Sequence, residues 1–282
     1  MGFDYVGGFN GAPHFKTAFI KTACHHCSVK GTDGRTGYYL EIDSETPIDT
    51  NNAYIVHQEN SKNDPAQMEL YDRVNHRLAV ETAQKAKAEG VRQFILMSSM
   101  SVYGVDTGVI IPETLPQPVS FYGKSKLAAE ELLQKEADEG FKVCILRPPM
   151  VYGPGCKGNF QTVVKLVKRS PVFPQLRNQR SMIHIDNLCE FLKLCVDKGE
   201  SGLFFPQNRE YMQTSRMART IAGKLGRRVF FSRLIGFAVR LTIPFLSLTK
   251  KAFGTLIYRD TERHDYCYCI RSNTDSVEDS VG

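Results

Sequence analysis

Val91-Arg92-Gln93-Phe94-Ile95-Leu96-Met97-Ser98-Ser99-Met100-Ser101-Val102-Tyr103-Gly104 is the stretch on which the fold turns. Residues 94–97 are a continuous apolar run between polar neighbours, the pattern of a strand buried on both faces of a parallel sheet. The serines that follow stand where that strand ends, and open α/β sheets place their ligands outside the carboxyl ends of their strands. Upstream, Pro65 opens a helical pattern with Leu70, Val74 and Leu78 on one stripe, carried by an Ala- and Lys-rich run to Gly90, a residue suited to the position just past a helix end. Downstream, a loop holding Pro112, Pro116 and Pro118 leads to a helix predicted over 121–138 and a second buried strand over 142–147. Strand, crossover helix and parallel strand make a right-handed unit, and such units stack into a doubly wound sheet. Beyond Pro148 shorter helices are predicted over 160–169, 186–197 and 215–225, as in a smaller lobe that covers a substrate.

Tyr122-Gly123-Lys124-Ser125-Lys126 heads the second helix, and a four-residue spacing sets Tyr122 and Lys126 on one helical face. A phenol with a pKa near 10 is a poor base at neutral pH, but an adjacent ammonium stabilises the phenolate and lowers that value. Tyr122 could then take a proton from a sugar hydroxyl, with Ser99 donating to a substrate oxygen. A bare Tyr–Lys pair is also common as an exposed helical pair. This one lies between the serine-rich strand end and Leu146-Arg147-Pro148-Pro149-Met150-Val151-Tyr152-Gly153-Pro154-Gly155, and the three blocks in this order are specific.

These blocks resemble the extended short-chain dehydrogenase/reductase family, the NAD-dependent epimerases and dehydratases typified by UDP-glucose 4-epimerase, over residues 63–258. The resemblance implies an α/β, Rossmann-like doubly wound parallel sheet with a smaller C-terminal substrate lobe. It implies Ser99, Tyr122 and Lys126 as catalytic residues, and Asn75, Ser98, Tyr122, Lys126 and Pro149 as cofactor-binding residues, with NAD as cofactor. Ser99, Asn159 and Arg180 are implied as substrate-binding residues, Asn159 and Arg180 facing the diphosphate of a UDP-sugar. Read from the residues alone, Asn75 is equally a polar helix residue, Asn159 a helix N-cap and Arg180 a surface arginine. A homodimer is implied through the helices that carry Asn75 and Tyr122.

Family members that dehydrate the sugar carry an Asp-Glu pair directly after the strand-end Ser or Thr. Met100 and Ser101 stand there, and neither can do general acid–base work, so epimerisation at C4 is favoured. A nucleotide-sugar reductase, or a silent member that binds nucleotide sugar without turnover, would carry the same three residues. Met150 replaces an asparagine that commonly helps hold the sugar. The glycine fingerprint of a dinucleotide fold is not recognisable before Asp64; residues 7–11, Gly-Gly-Phe-Asn-Gly, are the only approach to it, with His14 at the third glycine position. The domains expected are therefore an atypical first part of the cofactor domain over 1–56, a dinucleotide-binding domain over 57–149, a substrate lobe over 150–258 and a tail over 259–282. A fusion or a change of reading frame would account for the first of these segments and for the tail.

A formal net charge of +6 spread along the chain does not favour nucleic-acid binding. Residues 234–248 form the longest apolar stretch, broken by Arg240 and Pro244, and fall short of the roughly 20 residues that span a bilayer. The N-terminus lacks a secretory pattern, so a cytoplasmic address is expected, and Cys144, Cys189 and Cys195 lie in apolar segments as reduced thiols. Cys24-His25-His26-Cys27 with Cys267 and Cys269 is a weak zinc pattern, since the pairs lie far apart in sequence, and no metal is expected. The basic, apolar segment 227–251 is read as packed against the substrate lobe, with a membrane surface as the alternative.

Overall fold

The computed structural model describes residues 68–154, 156, 159–261 and 267–281, and the backbone of residues 26–30, 36–40 and 54–56. The chain divides into two compact units built from alternating segments: the first takes residues up to Gly104, Pro116–Arg147 and Cys195–Phe204, the second Val105–Leu115, Pro148–Leu194 and Phe205 onward.

In the first unit, β1 (His26–Lys30) and β2 (Thr36–Leu40) pair antiparallel. The main sheet has four parallel strands, β3 (Tyr54–Val56), β4 (Gln93–Met97), β6 (Lys142–Leu146) and β10 (Gly202–Phe204), in the order β10-β6-β4-β3. Every residue of β4 is buried, as its uninterrupted apolar run requires. One face packs Phe94, Leu96, Val143 and Ile145 against Ala79, Ala83 and Ala86 of α2 (Leu78–Ala88) and Ala129 and Leu133 of α3 (Phe121–Glu136). The Rossmann-like α/β architecture expected from the sequence is the one formed, with predicted helices and strands falling within a few residues of their observed bounds.

The helix before β4 differs in one respect. α1 (Met68–Tyr71) continues into a π-helical turn, Asp72–Arg77, before α2. The buried face therefore runs through Tyr71, Asn75, Ala79 and Ala83, while Val74 and Leu78 of the expected stripe are only half-buried. A π-turn holds one residue more per turn than an α-helix, which rotates the side chains that follow.

In the second unit, three parallel strand pairs frame a separate core: β5 (Gly108–Ile110) with β12 (Leu256–Tyr258), β7 (Met150–Tyr152) with β9 (Met182–His184), and β8 (Val172–Pro174) with β11 (Phe230–Ser232). Tyr152, Phe160, Val163, Val167, Phe173 and Ile221 form its centre, contributed partly by α4 (Asn159–Arg169) and α6 (Thr214–Lys224). α5 (Ile185–Lys198) follows β9. α7 (Arg233–Thr242) and α8 (Ser247–Phe253) precede β12. Within the segment read as a tail, α9 (Asn273–Asp279) sends Val277 into the core, and Ser276 hydrogen-bonds Tyr152 at 2.6 Å. No helix among the described residues is long and apolar enough to cross a membrane.

Candidate active site

The site begins where β4 ends. Ser98 continues the strand, its N–H donating to the Leu146 carbonyl at 2.7 Å. Ser99 then leaves the sheet in extended conformation and caps a 3₁₀ turn, Met100–Tyr103, its Oγ accepting the Ser101 N–H at 3.1 Å. The same hydroxyl donates to Ser101 Oγ at 3.0 Å. Ser99 is half-exposed, whereas Met100 is buried in the position that an acid would take in a dehydratase.

Ser120 starts α3 by accepting the Gly123 N–H at 3.0 Å, an N-cap that fixes where Tyr122 sits on the first turn. Gly123 is needed there: a Cβ would lie 2.6 Å from the Ser101 carbonyl oxygen, so only glycine lets the helix start pass this close to the 3₁₀ turn. One turn on, Lys126 is 1% exposed, and its Nζ donates to the Met97 carbonyl at 2.9 Å while standing 5.8 Å from the centre of the Tyr122 ring. The expected Tyr–Lys stacking is thus present, and the alternative of an exposed pair does not hold for Lys126. Burial pulls the ammonium pKa down to about 7, with the Glu130 carboxylate opposing.

Asn75 lies inside the π-turn and is buried, its side-chain amide donating to Ser125 Oγ at 3.2 Å. Ser125 Oγ in turn donates to the Tyr122 carbonyl at 2.9 Å. Asn75 is therefore tied through one hydroxyl to the turn that carries Tyr122. Irregular turns of this kind occur mostly as single insertions and frequently at functional sites.

Beneath these residues lies a group that the sequence reading did not single out. Glu130, 1% exposed and four residues beyond Lys126, accepts from Arg147 Nη2 at 2.5 Å and from Arg147 Nε at 3.1 Å, and also from the Ser98 hydroxyl. Arg147 Nη1 donates to the Tyr103 hydroxyl at 2.7 Å. Burial works against the Arg147 charge, but the Glu130 carboxylate outweighs it and raises the guanidinium pKa; burial likewise raises the Tyr103 phenol. The available signal was the spacing Tyr122–Lys126–Glu130, which puts the three side chains on one helical face.

The other expected residues lie in the second unit. Pro149 is buried just ahead of β7, Met150 is half-buried in β7, and Asn159 is exposed as the first residue of α4. Arg180 is half-buried; its Nη1 donates to the Gly254 carbonyl at 3.0 Å, at the C-terminal end of α8, where cations are favoured. Its Nε is buried without a hydrogen-bond partner among the described residues, and burial lowers the guanidinium pKa, with Asp106 opposing. His184, Asp186 and Asp279 also converge, but Arg271 Nε already lies 2.5 Å from Asp186 and supplies the cation there. Of the zinc pattern, Cys267 is exposed and Cys269 half-buried, its thiol 3.6 Å from the Gln207 carbonyl oxygen; Cys24 and His25 lie outside the described residues, as do the glycines of residues 7–11.

The residues of the first unit suit a dinucleotide. An ammonium has three N–H groups, and among the described residues the Met97 carbonyl takes one, at the carboxyl end of a central parallel strand.

Three comparisons bear on this arrangement. The family profile of the NAD dependent epimerase/dehydratase family matches residues 42–205. A UDP-glucose 4-epimerase of Vibrio cholerae is 31% identical over 72% of this chain and 67% of its own length. Among solved structures, a UDP-glucuronic acid 4-epimerase from Bacillus cereus in complex with NAD aligns over 80% of this chain and 72% of its own, with a TM-score of 0.59 at 17% identity. The enzyme MoeE5 in complex with UDP-glucose and NAD aligns over 81% and 77%, with a TM-score of 0.57 at 19% identity. With the doubly wound sheet, the strand-end serine and the buried lysine beside its tyrosine, these matches establish that the chain belongs to the NAD-dependent epimerase/dehydratase family, as its motifs led one to expect.

Proposed function

We propose that this protein is an NAD-dependent nucleotide-sugar epimerase that inverts C4 of a UDP-sugar. The observation that carries the reading is the buried Lys126 ammonium beside the Tyr122 ring at the carboxyl end of β4. The activities of the similar proteins agree with it: a UDP-glucose 4-epimerase and a UDP-glucuronic acid 4-epimerase.

Bound NAD supplies a reversible acceptor for the hydrogen at C4. Lys126, Asn75, Ser98 and Pro149 are the residues that would hold the cofactor. Tyr122, its phenolate stabilised by the Lys126 charge, takes the proton of the C4 hydroxyl and returns it after the sugar has turned. Ser99 donates to the reacting oxygen. Arg180, whose Nε has no hydrogen-bond partner among the described residues, and Asn159 receive the diphosphate. Met100 and Ser101 leave no acid to expel a hydroxyl, which favours epimerisation over 4,6-dehydration. We further propose a cytoplasmic homodimer formed through the helices carrying Asn75 and Tyr122, with 57–149 as cofactor domain and 150–258 as substrate lobe.

The test is to denature the purified protein, assay the supernatant for NAD(H), and incubate the native protein with UDP-galactose. Released NAD together with UDP-glucose formation supports the proposal. Nucleotide-sugar binding with neither NAD nor turnover would leave a silent family member in its place.

A further inference from the structure

We propose that α7 and the turn after it form a docking surface for an anionic lipid bilayer, lying in the plane of the headgroups. The proposal starts from an unusual burial pattern. α7 packs inward through Gly236, where a Cβ would meet the Gln175 carbonyl oxygen at 2.1 Å, and through the partly buried Val239 and Ile243. Its opposite face is also apolar and stays in solvent: Leu234 is 79% exposed, Phe237 61% and Leu241 59%, continuing to Phe245 at 83%. Spacings of three and four residues put these side chains on one stripe. An apolar stripe of this kind is ordinarily covered, and among the described residues nothing covers this one. The sequence reading expected the segment to pack against the substrate lobe, and only one side of it does.

Charge decides what the cover is. From Tyr211 to Arg259 the chain has ten Lys or Arg and neither Asp nor Glu. Arg233 and Arg240 are exposed on α7 and flank the apolar stripe, with Arg227 and Arg228 exposed just ahead of it. A symmetric pairing of this face with a second copy would set these cations against themselves, with no acid in the segment to neutralise them. An anionic bilayer meets both requirements: Leu and Phe enter the boundary between headgroup and acyl chain, and the arginines reach the phosphates on flexible stems. A ten-residue helix of about 15 Å is far too short to cross a hydrocarbon core of about 30 Å, so the contact is in-plane.

The test is flotation of the full chain with vesicles of equal parts phosphatidylglycerol and phosphatidylcholine, and with phosphatidylcholine alone. The expected result is flotation with the anionic vesicles, reduced by salt and much weaker with the neutral ones. Phe237→Glu should lower the partition coefficient at least ten-fold. Arg233→Gln and Arg240→Gln should each lower it about five-fold and flatten the salt dependence. Because these side chains are exposed, thermal melting should show the variants folded, and a variant that does not melt like the parent is replaced by Leu234→Ser. The proposal is overturned if the parent protein does not float with anionic vesicles, or if Phe237→Glu floats equally well. It is also overturned if gel filtration shows a dimer that Phe237→Glu dissociates while vesicle binding is absent, since the cover is then a second copy.

Discussion

Two regions of this molecule break the usual sorting of residues in opposite senses. Around β4 and α3, Lys126, Glu130 and Arg147 carry charge into the interior. Along α7 and the turn after it, Leu234, Phe237 and Phe245 carry hydrocarbon out to water. The first departure is internally compensated: Glu130 binds Arg147, Arg147 binds Tyr103, and Lys126 has the Met97 carbonyl. The second is not, since α7 meets the core on one side only. A compensated departure marks a site completed within the chain, and an uncompensated one marks a surface awaiting something outside it.

That contrast can be broken by substitution. The largest effect expected is on turnover. Tyr122→Phe should reduce kcat by about 10²- to 10⁴-fold while bound NAD is kept, as measured by UDP-sugar interconversion and by cofactor release. Parallel loss of cofactor would mean that Tyr122 acts through binding. Next, Glu130→Gln leaves Arg147 buried without its counter-charge and should cost about 3 to 5 kcal/mol in urea unfolding. It also removes the group that supports the Lys126 charge, so the lysine should deprotonate at lower pH.

Lys126 gives a comparable effect that depends on pH. Its folded pKa, about 7, lies below its usual 10.5, so the folded state disfavours the charged form. That penalty is complete below about pH 7 and fades as pH rises towards 10.5, where the unfolded chain also loses its proton. Lys126→Met removes the penalty. Its stability relative to the parent should therefore fall by about 4 kcal/mol between about pH 6 and 10.5. A flat difference across that range would show that the folded lysine titrates at its ordinary value, as a solvated amine does. Asn75→Ala should cost about 1 kcal/mol through the lost bond to Ser125. The smallest effect marks the other region: Phe237→Ser should change unfolding free energy by no more than about 0.5 kcal/mol, because the ring touches water in the folded protein as well.

What could be read in the sequence was local. The Phe94–Met97 run and the Tyr122–Lys126 spacing each depend on a few neighbouring residues, and strand and helix bounds followed within a few residues. The Glu130–Arg147–Tyr103 group was not legible because its members come from a helix, a strand end and a 3₁₀ turn that only the folded sheet brings together. The π-turn at Asn75 was hidden for another reason: one extra residue in a helix leaves no compositional trace, and it changes which stripe is buried. At α7, apolar periodicity could not say which of two apolar faces was inside. Gly236 decides it in the structure, because only a residue without a side chain fits against the Gln175 carbonyl.

The route of the chain between its two units bears on how the protein is made. β6 pairs with β10, yet the whole of Pro148–Leu194 is laid into the other unit before the chain returns for Cys195–Phe204. A ribosome therefore releases three of the four parallel strands well before the fourth, and the edge of β6 stands open while most of a second core is still being synthesised. Closing so long a loop is entropically costly and slow. During that interval an unpaired apolar edge is a template for the wrong strand. Expression in a host that slows translation after Leu146, or that has little chaperone capacity, should accordingly shift the yield from folded protein to aggregate. Truncation after Leu146 would make that hazard permanent.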